Sequence, residues 1–248
     1  LSTTITGAQN TAVGRYALQN TTDENNTAVG YAAGQNISTG GYNVVIGHAA
    51  GDAITTADFN TAVGTSALSA ATTGHSHTAV GYLALRDVTT NAHNTGVGAY
   101  AGIQVTTGAD NTFIGANCGY ANTTASSNTI VGKNAFYANT TGASNTAIGT
   151  AALDANTTGG SNVAVGVNAL GANTTATSNT AVGASSQILN TTGANNTSVG
   201  ATSLDANTTG GSNTAVGGAS MTTNTTASNN TAMGYASLNL TTTGGNNV

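Results

Sequence analysis

Eight acidic residues and four histidines are the side chains of this chain that could carry acid–base or metal chemistry. The acids are Asp23, Glu24, Asp52, Asp58, Asp87, Asp110, Asp154 and Asp205. Most of them have no near partner, whereas glycoside cleavage needs two carboxyl groups at a defined separation. A Ser/His/Asp set could be chosen among so many serines by chance alone. We therefore predict that the protein has no catalytic residues and no cofactor, and is not an enzyme.

Three of the four histidines lie close together in the sequence: His75, His77 and His93. Imidazole is a common zinc ligand, so one interpretation of this cluster is a small metal site. The other interpretation, which we favour, is a solvated turn whose sequence has drifted. We therefore assign no metal site and keep the three histidines only as candidates.

The composition excludes several classes of protein. Only 4% of the residues are charged, against about 25% in ordinary soluble domains. Three basic residues cannot neutralise a phosphate backbone, so we expect no nucleic-acid partner. No stretch is long and apolar enough to span a bilayer, so we expect no membrane insertion by this segment.

The chain is a tandem repeat with a period of 17 residues after a first step of 16. Its consensus reads N-T-A-V-G-x-x-A-L-x-A-N-T-T-G-x-S/N. Thr and Val favour strands, and 17 residues are too few for the two helices of most α-solenoid repeats. We therefore predict an all-β fold, a parallel β-solenoid (β-roll) in which each 17-residue rung is one coil. Residues 1–248 form a single solenoid repeat domain in this interpretation.

Two columns of the repeat predict structural roles. The glycine is never lost, beginning with Gly14, Gly30 and Gly47, and marks a corner that needs positive φ or close backbone approach. The asparagine that opens the motif, as at Asn145 and Asn162, predicts a ladder of stacked side-chain amides.

A third column is the residue before the corner glycine, which is always Val, Ile or Met. We expect it to face a dry interior, with Ile148, Val165 and Val182 stacked one rung apart. On that expectation an aspartate at Val165 would be a buried, unpaired charge that costs on the order of several kcal/mol.

The column three residues after the glycine holds only Ala, Ser or Cys, so we expect it to be interior and Cys118 to be buried packing rather than a nucleophile. A large apolar residue follows it in most rungs. Because strand side chains alternate between faces, we expect this Leu column to form an external stripe that a partner covers. The alternative is that Leu packs inside a wider coil. The Leu column consists of Leu18, Leu68, Leu85, Phe136, Leu153, Leu170, Leu204, Met221 and Leu238.

Four rungs have glycine in place of this leucine: Gly34, Gly51, Gly102 and Gly119. Three of these rungs carry a β-branched apolar residue a few positions later, at Ile37, Ile54 and Val105. We interpret this as the same space being filled from another position.

The motif N-T-A-V-G-x-x-A resembles the head repeat of trimeric autotransporter adhesins of the YadA-like type, which is close to S-V-A-I-G-x-x-A/S. The pattern is also similar to repeats in phage and large-virus fibre proteins, and the resemblance covers the whole chain. It implies a left-handed β-roll that assembles as a homotrimer at a cell or virion surface. This chain departs from the adhesin pattern in its longer rung and in the Thr that replaces the first apolar residue of most motifs.

We therefore expect a structural and adhesive segment of an extracellular fibre, similar to a bacterial surface adhesin. One alternative is a phage or viral tail or receptor-binding fibre. The expected partners are an unknown host-surface or matrix receptor and further copies of the chain, as a homotrimer with Leu153, Leu170 and Leu204 at the subunit boundary. Residues 1–10 align with residues 238–247 without a capping sequence, so we expect a longer fibre or end-to-end stacking.

The other alternative is an ice-binding solenoid, because flat faces with Thr ladders can match ice. Against it, paired threonines such as Thr157 and Thr158 are adjacent, so only one of each pair can lie on a given face. The same N-T-T segments are glycosylation sequons. They mean nothing in a bacterial or phage protein, and they could carry sugar in the product of a eukaryotic virus.

Overall fold

The chain folds into short β-strands and turns, with no helix among residues 7–240 and 242–248, which this computed structural model describes. The chain consists of two compact units, Leu1–Ser126 (unit 1) and Ser127–Val248 (unit 2). The strands of unit 1 are β1 Thr11–Val13, β2 Thr27–Val29, β3 Val44–Ile46, β4 Thr61–Val63, β5 Thr78–Val80, β6 Thr95–Val97 and β7 Thr112–Ile114. The strands of unit 2 are β8 Thr129–Val131, β9 Thr146–Ile148, β10 Val163–Val165, β11 Thr180–Val182, β12 Thr197–Val199, β13 Thr214–Val216 and β14 Thr231–Met233. Residues 1–6, part of the terminal alignment noted above, lie outside the described residues.

Within each unit every strand pairs in parallel with the next strand along the chain. In unit 2, Val165 lies opposite Ile148 on one side and opposite Val182 on the other, which is a shift of one 17-residue rung. Unit 1 has the same register, as in the pairing of Thr61 with Thr78. These pairings confirm the predicted all-β parallel solenoid and its 17-residue rung.

The middle residue is buried in β2 to β14 and half-buried in β1, and the first and third side chains point outward, because side chains alternate along a strand. In β10, Ala164 is fully buried, whereas Val163 and Val165 are only partly buried. The prediction that Val165 and its column face the interior is therefore wrong. An aspartate at position 165 would stay in contact with water, so the large burial penalty does not apply.

The Leu column lies inside the solenoid, so the predicted external stripe is wrong and the alternative of interior packing is confirmed. Leu153, Leu170 and Leu204 are each 0% exposed. The reason is local backbone geometry: Leu153 has a φ of +52°, in the left-handed region. The chain is not a strand at this point, so the alternation rule fails and both Ala152 and Leu153 point inward.

This left-handed conformation is unfavourable for leucine, and burial outweighs it. A residue with a Cβ loses about 1–2 kcal/mol in the left-handed region. Full burial of a leucine side chain contributes about 1.5–3 kcal/mol. The core therefore retains leucine at a position where the backbone alone would favour glycine.

Four rungs have glycine instead of leucine at this position, so their backbone is not strained by a Cβ. In these rungs other side chains fill the core. At Gly51 an added Cβ would lie 2.7 Å from Val45 Cγ1 and 2.8 Å from Ile54 Cδ1. At Gly119 it would collide with the ring of Phe113. Val45 and Phe113 are the middle residues of their strands, where most rungs have alanine.

The residues that we expected to fill these rungs do so in two of three cases. Ile54 fills the space at Gly51, and Ile37 Cδ1 would lie 2.8 Å from a Cβ added at Gly34. At Gly102, however, the nearest side chains are Phe113 and Leu85 rather than Val105. Val105 is nevertheless fully buried.

The corner glycines are required by both conformation and space. Gly149 has a φ of +137°, and a Cβ on it would collide with the carbonyl oxygen of Gly166 one rung away. The other corner glycines, including Gly14, Gly30 and Gly47, have φ between +120° and +141°. The predicted role of this column is therefore confirmed.

Candidate functional site

The outward side chains of the strands form the most regular surface of the protein, and we call them the outer face. They are the first and third residues of every strand, and all of them are Thr, Val, Ile or Met. Ile148 is 40% exposed and Val199 is 39% exposed. Because the strands pair in register, each outward side chain lies beside its equivalent in the next rung. Each unit therefore presents one column of mainly Thr beside one of Val and Ile, without a charge.

The outer face was not predicted from the sequence, because the invariably apolar residue before glycine was taken to be interior. A signal was present in the strand itself. The middle position accepts Ala, Gly, Ser, Val, Ile and Phe, and it lies on the same side of the strand as the Asn two positions before it, which was expected to form a ladder. A period of two then places Thr and Val outside.

The Asn column forms the expected ladder of amides. The Oδ1 atom of Asn145 accepts bonds from the backbone N–H of Asn162 at 2.9 Å and from its Nδ2 at 3.1 Å. Nδ2 of Asn162 also donates to the carbonyl oxygen of Ala176 at 2.9 Å. Both side chains are buried. The Asn162 amide thus joins consecutive rungs and satisfies the carbonyl oxygen of Ala176.

His77 takes the place of asparagine in this ladder, and both of its ring nitrogens are engaged. Nε2 lies 3.0 Å from the carbonyl oxygen of Asn91, and Nδ1 accepts the backbone N–H of Asn94 at 3.2 Å. The side chain is only 1% exposed. A ring held in this way has no nitrogen available for a metal ion.

The other two candidate histidines lie at the surface beside it. The rings of His75 and His93 are 5.8 Å apart and edge-to-face. Nδ1 of His93 lies 3.5 Å from Oδ1 of Asp110, and both side chains are more than half exposed. The structure therefore brings His75 and His93 together but turns His77 inward. Among the described residues, no group of three or more His, Cys, Asp or Glu side chains is arranged to hold a metal ion.

Most of the N-T-T asparagines form a second buried column, where the folded protein leaves no room for a sugar, whereas Asn20, which also begins an N-T-T segment, is exposed. Nδ2 of Asn156 donates to Asn139 Oδ1 at 2.9 Å and to the carbonyl oxygen of Gly159 at 3.0 Å. A glycan on Nδ2 would have no room and would break these bonds. The buried sequon asparagines are Asn122, Asn139, Asn156, Asn173, Asn190, Asn207 and Asn224.

The paired threonines behave as the sequence predicts, with only one of each pair on the surface. Oγ1 of Thr157 donates to the carbonyl oxygen of Thr174 one rung away at 3.0 Å, and Thr157 is half-buried. Thr158 is exposed. The second threonine of each pair therefore forms an exposed Thr column, which includes Thr141, Thr158, Thr175 and Thr192.

The remaining candidates for chemistry are isolated. Cys118 is buried, and burial raises the pKa of its thiol to about 12, so it stays protonated and packs in the core as expected. Burial also raises the pKa values of Asp154 and Asp205, although backbone hydrogen bonds act in the opposite direction. Arg86 forms an ion pair at 2.6 Å with the adjacent Asp87. None of these contacts joins two carboxyl groups.

Exposed aromatic side chains are a further feature of unit 1. Tyr42 and Phe59 stack with ring centroids 5.3 Å apart, and they are 58% and 60% exposed. Tyr82 and Tyr100 contact edge-to-face at 5.2 Å. These rings cover one another, which leaves less of each ring face open to a ligand.

Comparisons with models of protein families, with curated proteins and with solved structures found no match. In the described part of the chain there is no helix with the length and apolar character needed to cross a membrane. A functional assignment therefore has to start from the geometry of the outer face and of the two buried columns.

Proposed function

We propose that the protein is a structural and adhesive segment of an extracellular fibre at the surface of a bacterial cell, and that it acts without catalysis or a cofactor. The observation that supports this proposal is the outer face, which repeats the same uncharged pair of columns in every strand. Its further partner is a receptor or matrix component of a host surface. A phage or viral tail or receptor-binding fibre, on a virion surface, would use the same repetitive display.

The proposed assembly is a left-handed, parallel homotrimer that forms through the outer face. The Leu column cannot serve as the boundary, because Leu153, Leu170 and Leu204 are already buried in their own chain. The outer face, in contrast, leaves a column of Val and Ile accessible to water. Contiguous apolar surface without charges is characteristic of the buried core of interfaces between copies of a chain.

The oligomeric state tests this assembly. The variant Val165→Asp, Val182→Asp, Val199→Asp places three charges on the outer face, where each aspartate would repel its equivalent in a partner. We expect light scattering to give a trimer mass for the parent protein and a monomer mass for the variant. The β content of the variant should be unchanged, because these side chains are outward in the single chain.

A matched control carries the same three charges on the exposed Thr column, as Thr158→Asp, Thr175→Asp, Thr192→Asp. This control should remain trimeric. A monomeric parent protein at all concentrations, or equal dissociation of both variants, would show that the outer face is not the interface. The adhesive role is tested separately with beads that carry the parent protein. Failure of these beads to attach to host cells or matrix-coated surfaces would contradict it.

Ice binding is a second candidate, and the outer Thr column favours it. Thr180, Thr197 and Thr214 lie opposite one another on consecutive strands. Neighbouring strands lie about 4.8 Å apart, so their hydroxyl groups form a regular row beside the Val column. If the face binds ice, the parent protein shows thermal hysteresis that the outer-face aspartates abolish. A solution without hysteresis rejects this candidate.

A further inference from the structure

His77 is the one member of the described Asn column that can gain a proton. The other described members are asparagines, whose amides do not titrate. It lies between Asn60 and Asn94, and its backbone N–H donates to Asn60 Oδ1 at 2.9 Å as an asparagine in this column does. The bond to the preceding rung is therefore independent of the imidazole.

The imidazole reproduces two of the contacts of an asparagine side chain. Nε2 takes the part of the amide Nδ2, which in Asn60 donates to the carbonyl oxygen of Gly74 at 3.1 Å. Nδ1 takes the part of Oδ1 and accepts the N–H of Asn94. Both contacts are satisfied only by a neutral ring with its hydrogen on Nε2.

A second proton would disrupt this arrangement at one atom. Protonated Nδ1 is a donor and would face the N–H donor of Asn94, so the bond to the next rung would be lost. The positive charge would also be buried, and the nearby imidazoles of His75 and His93 would oppose it. Burial is the main reason why the pKa of His77 falls to about 4.

The other charged groups around this rung do not offset the charge. On the preceding rung, Asp58 accepts the N–H of Gly41 at 2.7 Å. On the following rungs, Asp110 lies beside His93. Arg86 and Asp87 pair with each other. Among residues 7–240 and 242–248, no carboxylate lies within hydrogen-bond distance of the His77 ring, whose partners are Asn91 and Asn94.

We propose that His77 is an acid-sensitive opening point in unit 1, at which the contact between its rung and the rung of Asn94 separates when the ring is protonated. The effect is confined to one rung interface because a solenoid is held together by contacts between nearest neighbours. Acid would thus open the solenoid at a defined position rather than along its whole length.

The direction of the pH dependence follows from how tightly the closed and the opened rung bind a proton at His77. An exposed histidine has a pKa of about 6.5, so the opened rung binds a proton at a higher pH than the closed one. Closure is fully stable at neutral pH and weakens as the pH falls from about 6.5 toward 4. At pH 4 the opening equilibrium should be on the order of 100-fold larger than at neutral pH.

Amide hydrogen exchange with mass spectrometry, applied to the full chain and to His77→Asn, tests the proposal. The variant restores the residue found throughout the column, so it should fold. At neutral pH the two proteins should show the same protection in peptides that cover residues 78–95. At pH 4 these amides should exchange on the order of 100-fold faster in the parent protein than in the variant. Peptides that cover residues 146–165 should not differ.

A His93→Ser variant separates His77 from its exposed neighbours. The acid effect should persist in this variant, since its buried ring is intact. Loss of the effect in His93→Ser would assign the response to the surface histidines and overturn the proposal. Equal exchange of the parent and His77→Asn at pH 4 would also overturn it.

Discussion

The two units fill equivalent interior positions of the rung with different kinds of side chain. In unit 2 these positions form the second Asn column, whose amides bond between rungs, as Asn156 does with Asn139 and Asn173. In unit 1 the equivalent positions, one rung apart, are mostly apolar and buried: Ile37, Ile54, Ala71, Val88 and Val105. The strands and corner glycines are nevertheless the same. The fold therefore requires a side chain that fills this space, and it accepts either hydrophobic burial or a hydrogen-bonded ladder.

The two solutions differ in how they depend on neighbouring rungs. An apolar side chain gains from burial on its own, at about 25 cal/mol per Å². A buried amide gains only when the next rung supplies its partner, because an unpaired buried polar group costs about 1–3 kcal/mol. Unit 2 shows this dependence at Asn173, whose Oδ1 is buried and has no hydrogen-bond partner. The polar column therefore depends more than the apolar one on the side chains of its neighbouring rungs.

The largest expected effect concerns the feature that both units share. Gly64→Ala in unit 1 and Gly149→Ala in unit 2 each place a Cβ against a carbonyl oxygen one rung away, at φ values of +135° and +137°. Each should reduce the free energy of unfolding by more than about 4 kcal/mol in denaturant titrations. As a control, Gly218→Ala should change it by less than about 0.5 kcal/mol, since the nearest atom to its Cβ would be 3.6 Å away. If only one of the two alanine variants lost much less free energy of unfolding than this, the corner glycines of the two units would not be equivalent.

The next effect comes from exchanging the two kinds of interior side chain. Ile54→Asn introduces an amide with Ile37 and Ala71 on the neighbouring rungs, so it loses apolar burial and gains no ladder. It should destabilise the protein by about 3 kcal/mol. Asn156→Ile removes ladder bonds but adds apolar burial, so the loss should be about 1–2 kcal/mol. Thermal and denaturant unfolding of both variants measures the difference. The opposite order would show that the Asn column is not the more tolerant site.

The sequence was sufficient to predict the rung and its register, but not the direction of every side chain. The strict 17-residue period and the invariant corner glycine identify the parallel solenoid and the Asn ladder. The position of Leu153 was wrong because strand alternation was applied beyond the three-residue strands. The left-handed φ of Leu153 cannot be read from a leucine, since that residue type is unfavourable in this region. The outer face was missed for a different reason, because the invariably apolar residue before the corner glycine, as at Val165, was taken to be interior.

A stabilising effect is expected at the interruption of the Leu column in unit 2. Gln187 is buried, with Nε2 donating to Ser198 Oγ at 2.9 Å and Oε1 lacking a partner. Gln187→Leu restores the residue of the neighbouring rungs and leaves Ser198 bonded to Ser186 at 2.5 Å. The free energy of unfolding should rise by about 1–2 kcal/mol. Gln187→Glu, which buries a charge, is the control and should lower it. A destabilised Gln187→Leu variant would mean that the polar contacts outweigh the unpaired oxygen.

The smallest expected effect compares one carboxyl group in each unit. Asp154 in unit 2 and Asp52 in unit 1 occupy equivalent positions, and burial raises the pKa of both. A raised pKa means that the folded state binds a proton more tightly than the unfolded state. Stability from this source is therefore present at low pH and is lost as the pH rises through the folded pKa. At pH 7, Asp154→Asn should raise the free energy of unfolding by less than about 0.5 kcal/mol, which appears as a slightly higher melting temperature. At pH 3 the substitution should have no effect.

His48 makes the two carboxyl groups differ. It acts on Asp52 and opposes the rise of its pKa, whereas no such charge acts on Asp154. Asp52→Asn should therefore give a smaller gain than Asp154→Asn in melting curves recorded between pH 3 and pH 7. In a His48→Ala background the difference between the two gains should become smaller, because the charge that opposes the rise of the Asp52 pKa is then removed. If the difference persists undiminished without His48, the rungs of the two units differ at this position in a way that the charge does not explain.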